Sequence, residues 1–405
     1  MFAHSSPDES VIVSGAGPAG ATAALALALA GIPVRLLDRA LFPRNKPCGG
    51  GISARVLRRF PYLGHALSRI AVHPVSKMYL EAPDGQSTVI ETDEPAALMI
   101  RRVEFDALLV ALAVEAGATL ITGADIVQAR EDADAVTLTA RDGRRFSAPV
   151  VIAADGVHSV IARRLGIHGG WSSTAVALDM MEETPRTRLR DVDASVMWVS
   201  YQDHGYAYVF PKRDHVNAGV GYLLSHYRAA IGGAPYTVQR AFVDRLCARG
   251  VLAGASSREH FTPFLIPVGG PLRRPGRGRV LLAGDAAGFV NGATAEGIYY
   301  AMVSGELGAR AVHDSSSVSA MASRYNQAVN YEIGAELRDS VRIQRYLFAD
   351  PHRIAHLVRG AHREERLVRL VTDFVIGRLS YRALRRRMLS RSPALLLSWM
   401  WDCLT

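Results

Sequence analysis

Apolar runs separated by glycine-rich turns set the plan of the chain. Residues 11–13 form a short apolar β run, followed by Gly15, Gly17 and Gly20 in G-x-G-x-x-G spacing. An Ala/Leu stretch from there to Ala30 predicts a helix that Gly31 stops, and residues 34–37 read as a second strand closed by Asp38. Residues 150–165, VVIAADGVHSVIARRL, predict a buried strand ending at Asp155-Gly156 and then a helix. Residues 279–310 predict another buried strand ending at Gly284-Asp285, a glycine-rich turn over 292–297 and a long helix. Residues 206–212, YAYVFPK, alternate with period two, so Tyr206, Tyr208 and Phe210 share one face of a strand. Residues 353–391 mix Arg with Leu, Val, Ile and Phe as basic amphipathic helices do. No run of eighteen apolar residues occurs, so no spanning helix is expected.

Composition narrows this plan. A chain of 405 residues, 49% hydrophobic, is too long for one ordinary core and predicts two closely joined domains or one large α/β domain with insertions. The formal charge is +9, and residues 351–405 alone carry eleven Arg against Glu364, Glu365, Asp373 and Asp402. The rest of the chain is near neutral, which argues against nucleic acid as a partner. Of the 47 basic residues only Lys46, Lys77 and Lys212 are Lys. Cys48, Cys247 and Cys403 are too far apart for a disulfide framework or a metal site, so no metal is expected and a reducing, cytoplasmic setting fits. The first ten residues are polar and do not read as a secretion signal.

The glycine run places chemistry at the N-terminal end. Gly15 permits the tight turn, Gly17 lets backbone approach a pyrophosphate, and Gly20 lets helix and strand pack closely. The helix N-terminus, entered through Ala19, offers free N–H groups and a partial positive charge to phosphates. Asp38, followed by Arg39, stands where a carboxylate accepts from ribose hydroxyls, and it would repel a 2′-phosphate. Asp155 and Gly284-Asp285 add acids at two further strand ends, suited to a polyol such as the ribityl chain of FAD, which NAD lacks. Gly297 and Ile298 open the long helix, whose positive end suits an anionic reduced flavin.

This set resembles the flavoprotein reductases and hydroxylases built like para-hydroxybenzoate hydroxylase, over about the first 330 residues. The resemblance implies Asp285 on the ribityl chain, Arg102 of RVEFDALL near the FAD diphosphate, and NAD(P)H as a transient electron donor without a nucleotide fold of its own. Residues 42–51, FPRNKPCGGG, together with YAYVFPK, sharpen it to the geranylgeranyl reductase family. Tyr208 stands where that family usually has Trp. Gly292 and Ala295, in NGATAEGI, stand where it typically has Pro and Gly.

The implied fold is α/β: a Rossmann-type FAD-binding domain interleaved with a mixed β-sheet substrate domain, plus C-terminal helices. The implied division is an FAD-binding domain over 1–70, 100–165 and 275–310, a substrate-binding domain over 71–99 and 166–274, and a C-terminal helical region over 311–405. Gly49 and Gly50 would let backbone pass close to the flavin ring. Lys46, Gly51, Tyr206, Tyr208, Phe210, Pro211 and Lys212 would contact a hydrophobic small-molecule substrate, with Lys212 or Arg213 at the mouth for a polar head. Cys48 is the first candidate proton donor and Tyr206 the second. The implied reaction is hydride transfer from reduced flavin to an isolated C=C bond of an isoprenoid. The alternative is a flavin monooxygenase of the same fold. The basic C-terminal region would close the substrate cavity or, with Trp399 and Trp401, make peripheral contact with an anionic membrane.

Overall fold

The computed structural model describes residues 10–190, 193 and 195–391. The first nine residues, Trp399, Trp401 and Cys403 lie outside the described residues. The chain divides into two compact units. One comprises the chain up to Lys46, Arg102–Ala175 and Ile266–Val341; the other comprises Pro47–Arg101, Val176–Leu265 and the chain from Arg342 on. The first crossing falls at Lys46/Pro47, within the KPCGGG stretch and earlier than the expected residue 70. The expected C-terminal region, 311–405, is shared: residues 311–341 belong with the first unit and those from 342 on with the second, the division falling inside the single helix Ala335–Phe348.

The first unit is built on a six-stranded sheet in the order Gly276–Arg277, Val280–Leu282, Val151–Ala153, Val11–Ser14, Val34–Leu37, Thr119–Ile121. All neighbours pair in parallel except the first two, which run antiparallel. The central strands are continuous apolar runs because helices cover both faces of such sheets. Helix Pro18–Leu29 starts on Gly17 with Pro at its first position and ends before Gly31, at φ +72°. Gly20 packs this helix onto Gly15, and Gly305 of helix Ile298–His313 lies against the carbonyl of Ala19. At both positions an added Cβ would fall within 3.0 Å of backbone, so these elements approach more closely than any side chain allows. A three-stranded antiparallel meander, Ile126–Glu131, Val136–Ala140 and Arg145–Ala148, completes the unit's strands.

The second unit holds a seven-stranded mixed sheet in the order Phe261–Ile266, Ala177–Pro185, His215–Leu223, Gly205–Pro211, Val196–Gln202, Lys77–Glu81, Ser87–Glu91. Period-two alternation gives it two different faces. Ala207, Val209 and Val220 pack against Phe242 and Leu246 of helix Pro235–Ala248. Tyr201, Tyr206 and Phe210 point the other way, into a cluster with Leu347, Ile354, Ala355 and Val358 of the C-terminal helices. The amphipathic pattern after residue 350 therefore has a partner: Ile354, Ala355 and Val358 are its buried stripe. A small sheet pairs Gly51–Ser53 and Val72–Val75 with Ala97–Ile100, all antiparallel. Among the described residues no helix is long and apolar enough to cross a membrane.

Candidate active site

In the first unit the glycine turn is shaped as its spacing predicts. Gly15 sits at φ +99° with the Ala154 carbonyl against its Cα, where no Cβ fits. The nearest atom to a Cβ on Gly17 would be a guanidinium nitrogen of Arg44, at 3.8 Å. Helix Pro18–Leu29 has no side-chain cap, so the N–H groups of its first turn remain available to an anion. Asp38 accepts from the Ala16 N–H at 2.7 Å and the Ala40 N–H at 2.8 Å, which ties the turn to the end of strand Val34–Leu37. Each carboxylate oxygen retains a second acceptor position for a ribose hydroxyl. Arg39 is exposed.

Two guanidinium groups converge beside this turn. Arg102 donates to both oxygens of the fully buried Asp106, at 2.6 and 2.7 Å. Arg44 reaches the same carboxylate at 3.1 Å and lies 3.9 Å from Asp38. Arg44 and Asp106 were not singled out from the sequence. Asp106 is four residues beyond Arg102 on helix Arg102–Glu115, the spacing at which side chains meet, and Arg44 lies inside FPRNKPCGGG itself.

The other strand ends behave differently from one another. Asp155 uses Oδ2 to accept from the Val160 and Ile161 N–H groups at 2.8 and 3.2 Å, starting helix Val160–Arg164. Its buried Oδ1 has no hydrogen-bond partner among the described residues, and burial pushes the carboxyl above its ordinary range despite the Ser159 and backbone donors. Gly284, at φ +61°, donates its N–H to Ser304 at 2.9 Å and packs on Ala19. Asp285 Oδ1 lies 3.6 Å from where a Cβ on Gly297 would be, at the start of helix Ile298–His313, which has no side-chain cap either.

The turn before Gly297 explains one departure from the family pattern, at Gly292, and leaves the other, Ala295, without a structural reason. Gly292 donates its N–H to Ser340 at 2.8 Å, a bond that Pro cannot make. Ala295 sits at φ +55°, in the left-handed region where Gly is the easy residue. The first unit thus offers two uncapped helix ends, a guanidinium pair, an open Gly17 and a buried acceptor without a donor. These fit a dinucleotide bearing a diphosphate and a hydroxylated chain.

In the second unit the two remaining motifs meet. Gly205–Pro211 forms a strand, with ring centroids 6.2 Å apart for Tyr206 and Tyr208 and 4.6 Å for Tyr208 and Phe210. Gly49 lies on this aromatic face, since a Cβ there would be 3.0 Å from the Phe210 ring and 3.2 Å from Tyr208. The protein's own rings therefore account for this glycine. Cys48 accepts from the Gly50 N–H at its sulfur, 3.4 Å away, and its carbonyl accepts from Asn217 Nδ2 at 2.9 Å. Gly51 pairs with Met99 and begins a strand, so the glycine run passes directly from the Cys48 turn into the small sheet.

Tyr208 donates to the buried Asp179 at 2.9 Å. Burial, then the nearby Asp179, pushes the Tyr206 and Tyr208 phenols far above their ordinary values, and both keep their protons. Pro211 ends the strand and is buried; Lys46 is half-buried and belongs to the first unit.

Lys212 corrects an expectation. It is not at a mouth: it is 1% exposed and ion-paired with Glu183, whose other oxygen takes Arg101 Nε at 2.9 Å. A lone ammonium cannot stay charged in such a place, so the carboxylate must come with it. Burial lowers the Lys212 ammonium from its usual range. Burial would raise the Glu183 carboxyl, but Lys212 and Arg101 together hold it below. The sequence signal for Glu183 was a pair of acids, Glu182-Glu183, inside an apolar strand. A cavity of about 390 Å³ in this unit lies by helix Pro235–Ala248, with Trp198, Phe242, Arg245 and Arg249 in its walls; Cys48, Phe210 and Lys212 are not among them. Among the described residues no group of acids, His and Cys is placed to hold a metal.

Comparison with known proteins completes the assignment. A family model described as an FAD binding domain matches residues 8–304. Menaquinone reductase from Mycobacterium tuberculosis is 32% identical over 324 residues, covering 74% of this chain and 75% of its own. Digeranylgeranylglycerophospholipid reductase 2 from Methanopyrus kandleri is 28% identical over 405 residues, covering 95% and 97%. The crystal structure of a geranylgeranyl bacteriochlorophyll reductase-like protein from Thermoplasma acidophilum superposes with a TM-score of 0.77 at 19% identity, over 96% of this chain and 98% of that one, which shows the fold. With the FAD-binding match spanning most of the chain and the glycine turn, strand-end acids and KPCGGG stretch in place, this chain belongs to the geranylgeranyl reductase family of FAD-dependent oxidoreductases.

Proposed function

We propose that this protein saturates an isolated carbon–carbon double bond in an isoprenoid chain. FAD, when bound, supplies the hydride, and NAD(P)H recharges it. An unconjugated alkene offers no place for the incoming electron pair except carbon, so a proton must arrive in step. That demands a dry apolar surface with an acid on it. The observation that carries the reading is the aromatic face of Tyr201, Tyr206, Tyr208 and Phe210, with the Cys48 turn laid against it and C-terminal residues Ile354, Ala355 and Val358 clustered on it. Cys48 is the proton donor in this reading and Tyr206, held neutral, its reserve. Asp179, a buried carboxylate beside this face, accepts from Tyr208. Relatives named for a digeranylgeranyl lipid and for menaquinone, both compounds with isoprenoid chains, support the substrate class.

The test is to reduce the holoenzyme without oxygen and add geranylgeranyl diphosphate or a geranylgeranyl lipid. Flavin reoxidation with a product two hydrogens heavier is expected. Reoxidation only on admission of air, with oxygen in the product, would overturn the reading in favour of a monooxygenase.

A further inference from the structure

Lys212 is one of three Lys in a chain that otherwise uses Arg, and it is the fully buried one whose partners join three elements. Glu183 comes from strand Ala177–Pro185, Arg101 follows strand Ala97–Ile100, and Lys212 follows strand Gly205–Pro211. The three side chains together carry one net positive charge. The position of Lys212 itself is held by backbone: its N–H donates to the His215 carbonyl at 2.7 Å, and its carbonyl accepts from Arg186 at 2.6 Å.

What the ammonium rests against is the Cys48 turn. Gly50 is at φ +76°, and a Cβ there would lie 2.9 Å from Lys212 Nζ, with the Ile100 carbonyl closer still. The Gly50 carbonyl accepts from the Ile100 N–H at 2.9 Å, while its own N–H points at the Cys48 sulfur. The turn is thus clamped by Ile100 on one side and Asn217 on the other, with Lys212 filling the space that Gly50 leaves open. A planar guanidinium is broader than an ammonium and would collide with the Gly50 backbone, which accounts for a Lys surviving here.

We propose that Lys212, held by Glu183 and Arg101, is a positioning residue that sets the Cys48–Gly50 turn and places a buried positive charge behind the thiol. The proposal rests on the reading of Cys48 as the group that meets the alkene, but its test needs no substrate. In holoenzyme carrying Cys247→Ser and Cys403→Ser, Cys48 is the sole thiol, and its alkylation by iodoacetamide at fixed pH follows the thiolate. Lys212→Met removes the cation and slows alkylation about tenfold. Glu183→Gln removes the anion, leaves Lys212 and Arg101, and speeds alkylation about threefold. Opposite signs are the diagnostic, because a merely structural role would move both variants the same way. Changes of the same sign, or no change in either, would overturn the proposal. If Lys212→Met does not fold, Glu183→Gln decides alone: acceleration supports the proposal, and slowing or no effect overturns it. If alkylation responds as expected while Cys48→Ser reduces alkenes at the full rate, the role of Cys48 at the alkene fails and the hold of Lys212 on the turn stands.

Discussion

At the scale of single residues, the chain carries its chemistry on a few side chains and a few backbone angles. If Cys48 delivers the proton, Cys48→Ala lowers anaerobic alkene reduction about a hundredfold, the usual worth of a general acid, with flavin content and dithionite reduction unchanged. Ala295 tests a backbone angle. A left-handed alanine costs roughly 1–2 kcal/mol, and replacing it with glycine returns part of that to unfolded-chain entropy. Ala295→Gly is therefore expected to stabilise the protein by about 1 kcal/mol in urea unfolding, a gain that a relaxed position would not show. Gly15, Gly17 and Asp38 were legible from the sequence because one strand–turn–helix–strand unit sets their spacing, even though Gly15 meets Ala154 and Asp38 reaches back to Ala16. Lys212 was not. Its burial depends on Glu183 and Arg101, which lie on other strands, and a lone Lys in sequence reads as a surface charge.

At the scale of elements, apolar runs predicted the strands Val34–Leu37, Val151–Ala153 and Val280–Leu282, and period-two alternation predicted Gly205–Pro211. Gly51–Ser53 escaped notice, since three glycines in a row carry no periodicity and its partner, Ala97–Ile100, is more than forty residues away. The contact between helices Pro18–Leu29 and Ile298–His313 sets two local rules against each other. Alanine is a better helix former than glycine by about 1 kcal/mol, so Gly305→Ala should help on propensity alone. A Cβ there meets the Ala19 carbonyl within 3.0 Å, with backbone on both sides and nothing flexible to give. The clash should win. Gly305→Ala is expected to lose about 2 kcal/mol in thermal unfolding and to weaken FAD retention, because it pushes on the helix that follows the dinucleotide turn. Unchanged stability would mean that the two helices are not in such close contact.

At the scale of the whole molecule, two units are threaded by one chain that crosses between them repeatedly, and each motif falls within one unit or at a crossing. The glycine turn and the strand-end acids belong to the first unit; Cys48 and the aromatic strand belong to the second. The C-terminal helices matter to the second unit through Ile354, Ala355 and Val358, which cluster with the Tyr206 and Phe210 face. Truncation after Asp350 removes that cover. The expected result is protein that still binds FAD, takes up a hydrophobic dye such as ANS, and loses at least tenfold in alkene reduction. Full activity in such a truncation would show that the face needs no cover.

The sequence by itself determined the features whose physics is local: the helix that follows Gly17, the turn glycines, the acids at strand ends, and the period-two aromatic strand. Each belongs to a repeating local pattern, a strand period, a helix start or a strand–turn–helix unit, so spacing encodes it. Only the tertiary structure decided which charges are buried together, as with Lys212, Glu183 and Arg101 or Arg44, Asp106 and Arg102. The reason is energetic: a buried charge is tolerated only beside its partner, and that partner is chosen by the fold rather than by distance along the chain.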